Sequence, residues 1–142
     1  MSIHLIDSNV VSELWKPVPN PNVLAWFVQA RWRLPVPVIA EIQTGAEAAG
    51  SEARRKEVND RLDFFLERNP DAALDWDAET SRVWGRLKHS KEVRRQPQAL
   101  WDSLIDAMAV RFGCLVATRN TADFRHADTF DPWTFSEHPA AE

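Results

Sequence analysis

The stretch HLIDSNVVSEL, residues His4 to Leu14, decides the fold. A short apolar run, residues 3–6, ends at Asp7, and a second apolar run follows Ser8 and Asn9. The first run is too short and too apolar for an amphipathic helix, so it predicts a buried strand. The second run predicts a helix that ends before the prolines that follow Trp15. The chain therefore opens with a strand–helix unit that carries a carboxylate at its junction.

The rest of the chain repeats this alternation of short apolar strands and helices. We expect a second strand at Leu34–Val38 that leads directly into a helix at Ile39–Ala49, and a fully apolar strand at Cys114–Ala117. Further helices are expected at 22–30, from Ser51 to before Pro70, at 77–94 and at 100–112. Alternating strands and helices predict a mainly parallel sheet with helices on both faces, in a single α/β domain over residues 1–142.

Composition limits the class of protein. The 142 residues are 44% hydrophobic and 27% charged, as in ordinary soluble domains. No run approaches the roughly 18 apolar residues of a membrane span, and the N-terminus lacks a secretory pattern. The single cysteine, Cys114, excludes an internal disulfide and any site with several cysteine ligands. We therefore expect a cytoplasmic protein without a membrane partner.

The overall charge does not indicate nucleic-acid binding. The formal net charge is −4, whereas nucleic-acid binders are often basic. Basic residues do gather at Arg54-Arg55-Lys56 and again from Arg86 through Arg95. The simplest interpretation of both runs is a solvated helix face.

Four carboxylates lie next to apolar segments. Asp7 follows the first strand, Glu41 lies in the first turn of the helix after the second, Asp102 opens helix 100–112, and Asp123 follows the last strand. Ligands of parallel sheets bind beyond the carboxyl ends of the strands, where these acids would meet. Converging carboxylates repel one another unless a cation such as Mg²⁺ compensates them. Metal-dependent hydrolysis of a nucleic-acid backbone is the chemistry that follows.

Each acid also has a structural interpretation, and spacing by itself leaves both open. Asp7 or Ser8 could simply cap a helix, which is worth about 1 kcal/mol. Glu41 and Asp102 could complement helix dipoles. Asp106, one turn beyond Asp102, could join the site or face solvent.

Five segments together resemble one family. LIDSNVVSELWKPVPNPNVLAWF, VPVIAEIQTG, WDSLIDAMAV, CLVATRNTADF and DPW occur in the order seen in the PIN-domain family, specifically the VapC/FitB-like toxins of bacterial type II toxin–antitoxin systems. The resemblance covers nearly the whole chain and implies a three-layer α/β/α PIN-like fold. It also implies metal-binding catalytic acids at Asp7, Glu41 and Asp102. The fourth is Asp123, because the asparagine position of Thr-Arg-Asn, which is acidic in some members, is the neutral Asn120 here. The expected supporting residues are Ser8, Asn9, Thr118, Asn120 and Asp106, the last at a position where alanine is usual.

The implied function is a Mg²⁺-dependent endoribonuclease toxin, with Mn²⁺ as the alternative ion. A metal-activated water would hydrolyse an RNA phosphodiester in line, without a covalent intermediate. The implied partners are a second copy of the chain and a cognate VapB-type antitoxin, whose C-terminal segment blocks the acidic pocket and which itself binds operator DNA. The alternative is a catalytically silent PIN-fold module that acts with a DNA-binding partner.

Other residue types do not suggest a competing mechanism. The four histidines, His4, His89, His126 and His138, form no obvious pair for a metal-independent ribonuclease. Cys114 lies inside an apolar strand, where a packed thiol is expected. Three of the seven tryptophans, Trp26, Trp76 and Trp84, fit packing positions, whereas Trp15 and Trp101 flank acidic motifs and could stack on unpaired bases.

Overall fold

The computed structural model describes residues 2–137 and has a five-stranded parallel sheet at its centre. The strands lie in the order β3-β2-β1-β4-β5, and every neighbouring pair is parallel. The strand order reverses direction after β3, and because crossovers between parallel strands are right-handed as a rule, the helices before β3 and those after it belong to opposite faces of the sheet. This confirms the predicted three-layer α/β/α architecture. The strands are β1 His4–Ile6, β2 Trp32–Pro35, β3 Ala73–Leu74, β4 Leu115–Ala117 and β5 Thr129–Phe130.

Seven α-helices and two short 3₁₀ helices connect the strands of this described part. The Ser51 hydroxyl accepts a hydrogen bond from the Arg54 N–H and so caps the longest helix, α4. Gly113 ends α7 with φ of 67°, a left-handed conformation that glycine adopts without strain. The helices are α1 Ser8–Leu14, α2 Pro21–Gln29, α3 Val36–Glu47, α4 Glu52–Arg68, α5 Ala78–Lys88, α6 Lys91–Arg95 and α7 Leu100–Phe112, with 3₁₀ turns at Thr121–Asp123 and Pro132–Thr134.

Two predicted boundaries were wrong. The second strand is Trp32–Pro35 rather than 34–38, and α3 begins at Val36 with Pro37 in its first turn, where proline needs no N–H partner. The expected helix 77–94 is two helices, because the Ser90 hydroxyl accepts from the Val93 N–H and starts a new one. The two-residue strands β3 and β5 are too short to show a period in the sequence.

The core brings together the strand ends that carry the acids. Leu5, Ile6, Leu34 and Val116 on the strands are completely buried, and so is Ile105 on α7. Strand β1 lies between β2 and β4, with Ile6 in register with Ala117. The carboxyl ends of the three central strands are therefore neighbours. No helix among residues 2–137 has the length and apolar character to cross a membrane.

Candidate active site

Asp7 lies at the end of β1 and is 4% exposed. Its Oδ1 accepts a hydrogen bond from the Ser8 N–H at 2.8 Å, so it caps α1, as the structural interpretation expected. Its Oδ2 accepts one from the Thr118 hydroxyl, also at 2.8 Å. Burial raises the pKa of Asp7, the bonds from Thr118 and Ser8 oppose this, and the charge of Asp123 adds to the rise.

Thr118 and Asn9 join the two strand ends. Thr118 follows β4, is completely buried, and accepts hydrogen bonds from the Asn9 side chain at 3.1 Å and the Asn120 N–H at 3.0 Å. The Asn9 amide also contacts Asp7 Oδ2 at 3.4 Å, and its oxygen accepts from the Arg119 N–H at 3.3 Å. The predicted supporting residues Ser8, Asn9, Thr118 and Asn120 thus surround Asp7. They hold its carboxylate in one orientation.

Glu41 lies in the second turn of α3, not the first, because the helix begins earlier than the sequence predicted. Burial raises the pKa of its carboxyl, a hydrogen bond with the Ser8 side chain opposes that rise, and the charge of Asp7 adds to it. Its Oε1 is buried without a hydrogen-bond partner in the described residues. A buried acceptor without a partner is costly, so this oxygen is suited to a ligand.

Asp102, in the first turn of α7, shows that the four acids share one environment. Its pKa is raised to about 6, first by burial and then by the charges of Asp7, Asp123 and Glu41, while Arg125 opposes the rise. These carboxylates come from four separate segments of the chain. We call Asp7, Glu41, Asp102 and Asp123 the acidic cluster.

Asp123 lies on the open side of the acidic cluster. It ends the 3₁₀ turn Thr121–Asp123 and is exposed, yet its charge acts on both Asp7 and Asp102. Asn120, the neutral alternative, is also exposed. Its backbone N–H, rather than its side chain, makes the contact with Thr118.

Asp106 has a different set of contacts. It is 1% exposed, and its Oδ1 accepts from the Ala127 N–H at 2.8 Å and the His126 N–H at 3.3 Å. Its Oδ2 accepts from the Gln98 side chain at 3.4 Å. It is not among the charges that raise the pKa values of Asp7, Glu41 or Asp102. These contacts anchor the chain beyond Asp123 to α7.

The donor set fits a hard divalent cation, although the side chains do not form a closed cage. Among residues 2–137, no group of three or more His, Cys, Asp or Glu side chains is arranged so that it could hold a metal ion as it stands. Mg²⁺ usually keeps several waters and binds through one or two carboxylates, so a closed cage is not required. The unpartnered oxygen of Glu41 and the mutual repulsion at Asp102 are what a cation would relieve.

Other candidate residues have packing roles or lie beside the cluster. Trp26 is buried as predicted, Trp76 and Trp84 are half-buried, and Trp101 is half-buried at the start of α7. Trp15 lines a cavity of about 620 Å³ together with Ser8 and Glu41. The ring of His126 hydrogen-bonds to Ser90 at 3.0 Å, and His138 lies outside the described residues.

Arg125, whose charge acts on Asp102, was not among the site residues predicted from the sequence. Its position two residues beyond Asp123 was the only available signal. That spacing does not say where the side chain points.

Comparison with known proteins gives consistent matches. A family model described as "PIN domain" matches residues 4–129. The "VapC ribonuclease Y4jK" of Sinorhizobium fredii is 32% identical over 136 residues, covering 91% of this chain and 96% of the relative. The "Toxin FitB" of Neisseria gonorrhoeae is 27% identical, covering 91% of this chain and 97% of the relative. The crystal structure of FitAcB from the same organism superposes with a TM-score of 0.77 at 25% identity, over 94% of this chain and 99% of the other.

Proposed function

The chain belongs to the PIN domain family and is VapC/FitB-like, and from this premise we propose that it is the toxin of a type II toxin–antitoxin system that hydrolyses RNA with Mg²⁺. The observation that carries the proposal is the convergence of four carboxylates, among which Glu41 keeps a buried, unpartnered oxygen and Asp102 has a pKa raised to about 6 by burial and by the charges of the other three. Four carboxylates are kept close despite their repulsion. That cost is accounted for if the cluster binds a cation and a phosphodiester.

Each residue of the acidic cluster has a part in this proposal. Asp7, Glu41, Asp102 and Asp123 would hold the ion, Mg²⁺ or Mn²⁺. When bound, such an ion lowers the pKa of a coordinated water and stabilises charge on the phosphate oxygens. Thr118 and Ser8 hold the Asp7 carboxylate in place, and the free Oε1 of Glu41 remains available as an acceptor. Asp102 must lose its proton before it can bind a cation.

Partners follow from the same premise. An antitoxin arginine would fit the acidic cluster, because guanidinium and carboxylate groups form strong paired hydrogen bonds. The chain would act as a homodimer in the bacterial cytoplasm. It would reach operator DNA only through its antitoxin. Similarity to a VapC ribonuclease and to the toxin FitB, and to the structure of a FitAB complex bound to DNA, supports a toxin that acts with an antitoxin.

Expression in bacteria tests the function. The wild-type chain should arrest growth, and Asp7→Ala should not, because it removes the most buried carboxylate of the cluster. Asp63→Ala is the matched control, since it removes an exposed carboxylate on α4 and should remain toxic. Circular dichroism of each purified variant shows that it is folded. Equal toxicity of wild type and a folded Asp7→Ala would reject hydrolysis by this cluster.

The class of nucleic acid is tested separately. Purified protein is offered single-stranded RNA and DNA of the same sequence, each with Mg²⁺, Mn²⁺ or EDTA. We expect cleavage of RNA with either ion and none with EDTA. Cleavage of DNA alone, or cleavage that persists in EDTA, would contradict the proposal.

A further inference from the structure

The two basic runs of the sequence have different surroundings in the structure. In the first, on α4, every side chain is paired: Arg54 with Glu57 at 3.2 Å, Arg55 with Glu47 and Glu52, and Lys56 with Asp60 at 2.6 Å. This run is a solvated helix face, as the sequence analysis interpreted it. Its charges are neutralised locally.

The end of the second run is not neutralised in this way. Lys91, Arg94 and Arg95 of α6 are exposed and form no ion pair within the part of the chain that the structure describes. The charge of Lys91 acts on the neighbouring Glu92, whereas Arg94 and Arg95 have no carboxylate partner within residues 2–137, so positive charge at this end is available to an external anion.

A surface cavity of about 420 Å³ lies between α6 and the segment around Asp123. Lys91, Arg95 and Arg125 line it, against a single carboxylate, Glu92, and Phe124 contributes an apolar surface. The lining therefore carries two more positive than negative charges in a protein of net charge −4. We call this the cationic cavity.

Arg125 connects the cationic cavity to the acidic cluster. Its Nε donates to the Gln96 carbonyl at 2.9 Å, and its Nη1 donates to the Ala122 carbonyl. Two backbone contacts fix the guanidinium plane, and its other N–H groups have no acceptor within residues 2–137. Ala122 and Phe124, the two chain neighbours of Asp123, line the cationic cavity together with Arg125. The cationic cavity therefore begins beside the acidic cluster.

Several contacts hold the two sites in a fixed relation. The Gln98 side chain donates to the Asp123 carbonyl at 3.0 Å, and Ser90, which caps α6, contacts the His126 ring at 3.0 Å. Asp106 binds the backbone N–H groups of His126 and Ala127. The acidic cluster and the cationic cavity therefore have a fixed relative position before a polyanion binds across them.

We propose that Lys91, Arg95 and Arg125 form a phosphate-binding subsite, which holds the RNA backbone next to the phosphodiester at the acidic cluster. This inference rests on the proposed ribonuclease function and names how the substrate is held. RNA carries a phosphate at every nucleotide, so a strand whose reacting phosphate lies at the acids presents a neighbouring one to the cations. An acidic protein needs such a local attraction, because its net charge repels the substrate.

RNA binding tests the subsite without requiring turnover. The probe is a fluorescein-labelled single-stranded RNA of mixed sequence, titrated with the Asp102→Asn protein and followed by anisotropy at several KCl concentrations. Adding Lys91→Gln and Arg95→Gln should raise Kd about fivefold to tenfold. The slope of log K against log [KCl] should weaken by roughly 1.4, since each lost single-strand contact contributes about 0.7.

The matched control is Arg55→Gln with Lys56→Gln, which removes the same charge from the paired run on α4. It should leave Kd within about twofold of the parent, because its two side chains are not part of the cationic cavity. An effect of net charge alone would instead weaken RNA binding equally in both double variants. Equal losses in the two variants, or no loss in either, would overturn the subsite.

Cleavage kinetics separate this inference from the proposed function. If wild type cleaves RNA, Lys91→Gln with Arg95→Gln should raise KM with little change in kcat, and Arg125→Lys should retain more activity than Arg125→Gln. If wild type cleaves nothing but the binding losses are found, the ribonuclease proposal fails, and what remains is RNA binding by these cations without a role in cleavage. If wild type cleaves RNA and the variants bind as the parent does, only the subsite falls.

An acidic protein segment is the other polyanion that such a cavity could accept. A fluorescein-labelled polyglutamate peptide is titrated in parallel. Loss of peptide binding without loss of RNA binding in the Lys91→Gln, Arg95→Gln protein would overturn the proposal in favour of a protein partner.

Discussion

Asp102 experiences two opposing influences. Burial and three neighbouring carboxylates raise its pKa to about 6, while Arg125 acts in the other direction. In the absence of a cation, its charged form therefore lowers the stability of the fold at neutral pH. Under the proposed function, a cation bound at Asp102 would offset this loss of stability.

The sign of this effect predicts a pH dependence. The folded pKa of about 6 exceeds the ordinary value of 3.8, so the folded state binds the proton more tightly and the free energy of unfolding falls as pH rises between these values. Asp102→Asn removes the contribution of this residue to that fall. In EDTA, the variant should have a higher Tm than wild type at about pH 7.5, and the difference should shrink towards about pH 4.

Thermal unfolding across this pH range checks the prediction. Asp63→Asn, an exposed carboxylate on α4, is the control and should change Tm little at any pH. A lower Tm for Asp102→Asn at neutral pH would show that the carboxylate stabilises the fold.

At the scale of elements, α7 and the segment after β4 depend on each other. Asp102 and Asp106 are one turn apart on α7, yet one faces the other acids and the second binds backbone N–H groups. The break between α5 and α6 places Ser90 against His126 and turns the basic end of α6 towards Asp123. Local contacts of this kind position both sites.

Asp106 provides a prediction for this scale. Asp106→Ala leaves two partly buried N–H groups without their acceptor, so it should cost about 1–3 kcal/mol of unfolding free energy. Asp106→Asn keeps an acceptor oxygen and should cost less. Urea unfolding measures both. A Mg²⁺-induced rise in Tm should persist in Asp106→Asn, and loss of that rise would instead place Asp106 among the ligands.

Some helix and strand boundaries could be predicted from the local sequence pattern, and others could not. The β1–α1 unit and the end of α7 at Gly113 could be predicted, because an apolar run and a terminal glycine act within a few residues. The start of α3 at Val36 could not, since Pro35 pairs with Leu74 of a strand distant in the sequence. The short strands β3 and β5 exist only because an already formed sheet offers them hydrogen bonds.

The whole molecule assembles the site from distant segments. Strand β1 in the centre brings Asp7 beside Thr118, and the flanking helices bring Glu41 and Asp102 to the same edge. In an unfolded chain these carboxylates would be too far apart to repel one another strongly. Cation binding should therefore stabilise the fold as a whole.

Added Mg²⁺ should raise the Tm of wild type at about pH 7.5, and by less at about pH 5, where protons compete for Asp102. The rise should be lost in Asp7→Asn, while Asp63→Asn keeps it. Differential scanning fluorimetry with Mg²⁺, and with K⁺ at matched ionic strength, measures the effect. A rise of equal size in Asp7→Asn would place the cation elsewhere.

The sequence by itself determined the fold class, the strand–helix unit with Asp7 at its junction, and the candidate acids at strand ends and helix starts. These follow from apolar periodicity and from the rule that parallel strands present their carboxyl ends at one edge. Only the tertiary structure decided that Asp106 turns to the chain after Asp123, that Glu41 keeps an unpartnered oxygen, and that the charge of Arg125 acts on Asp102. Side-chain direction depends on partners far away in the sequence, and local periodicity carries no information about them.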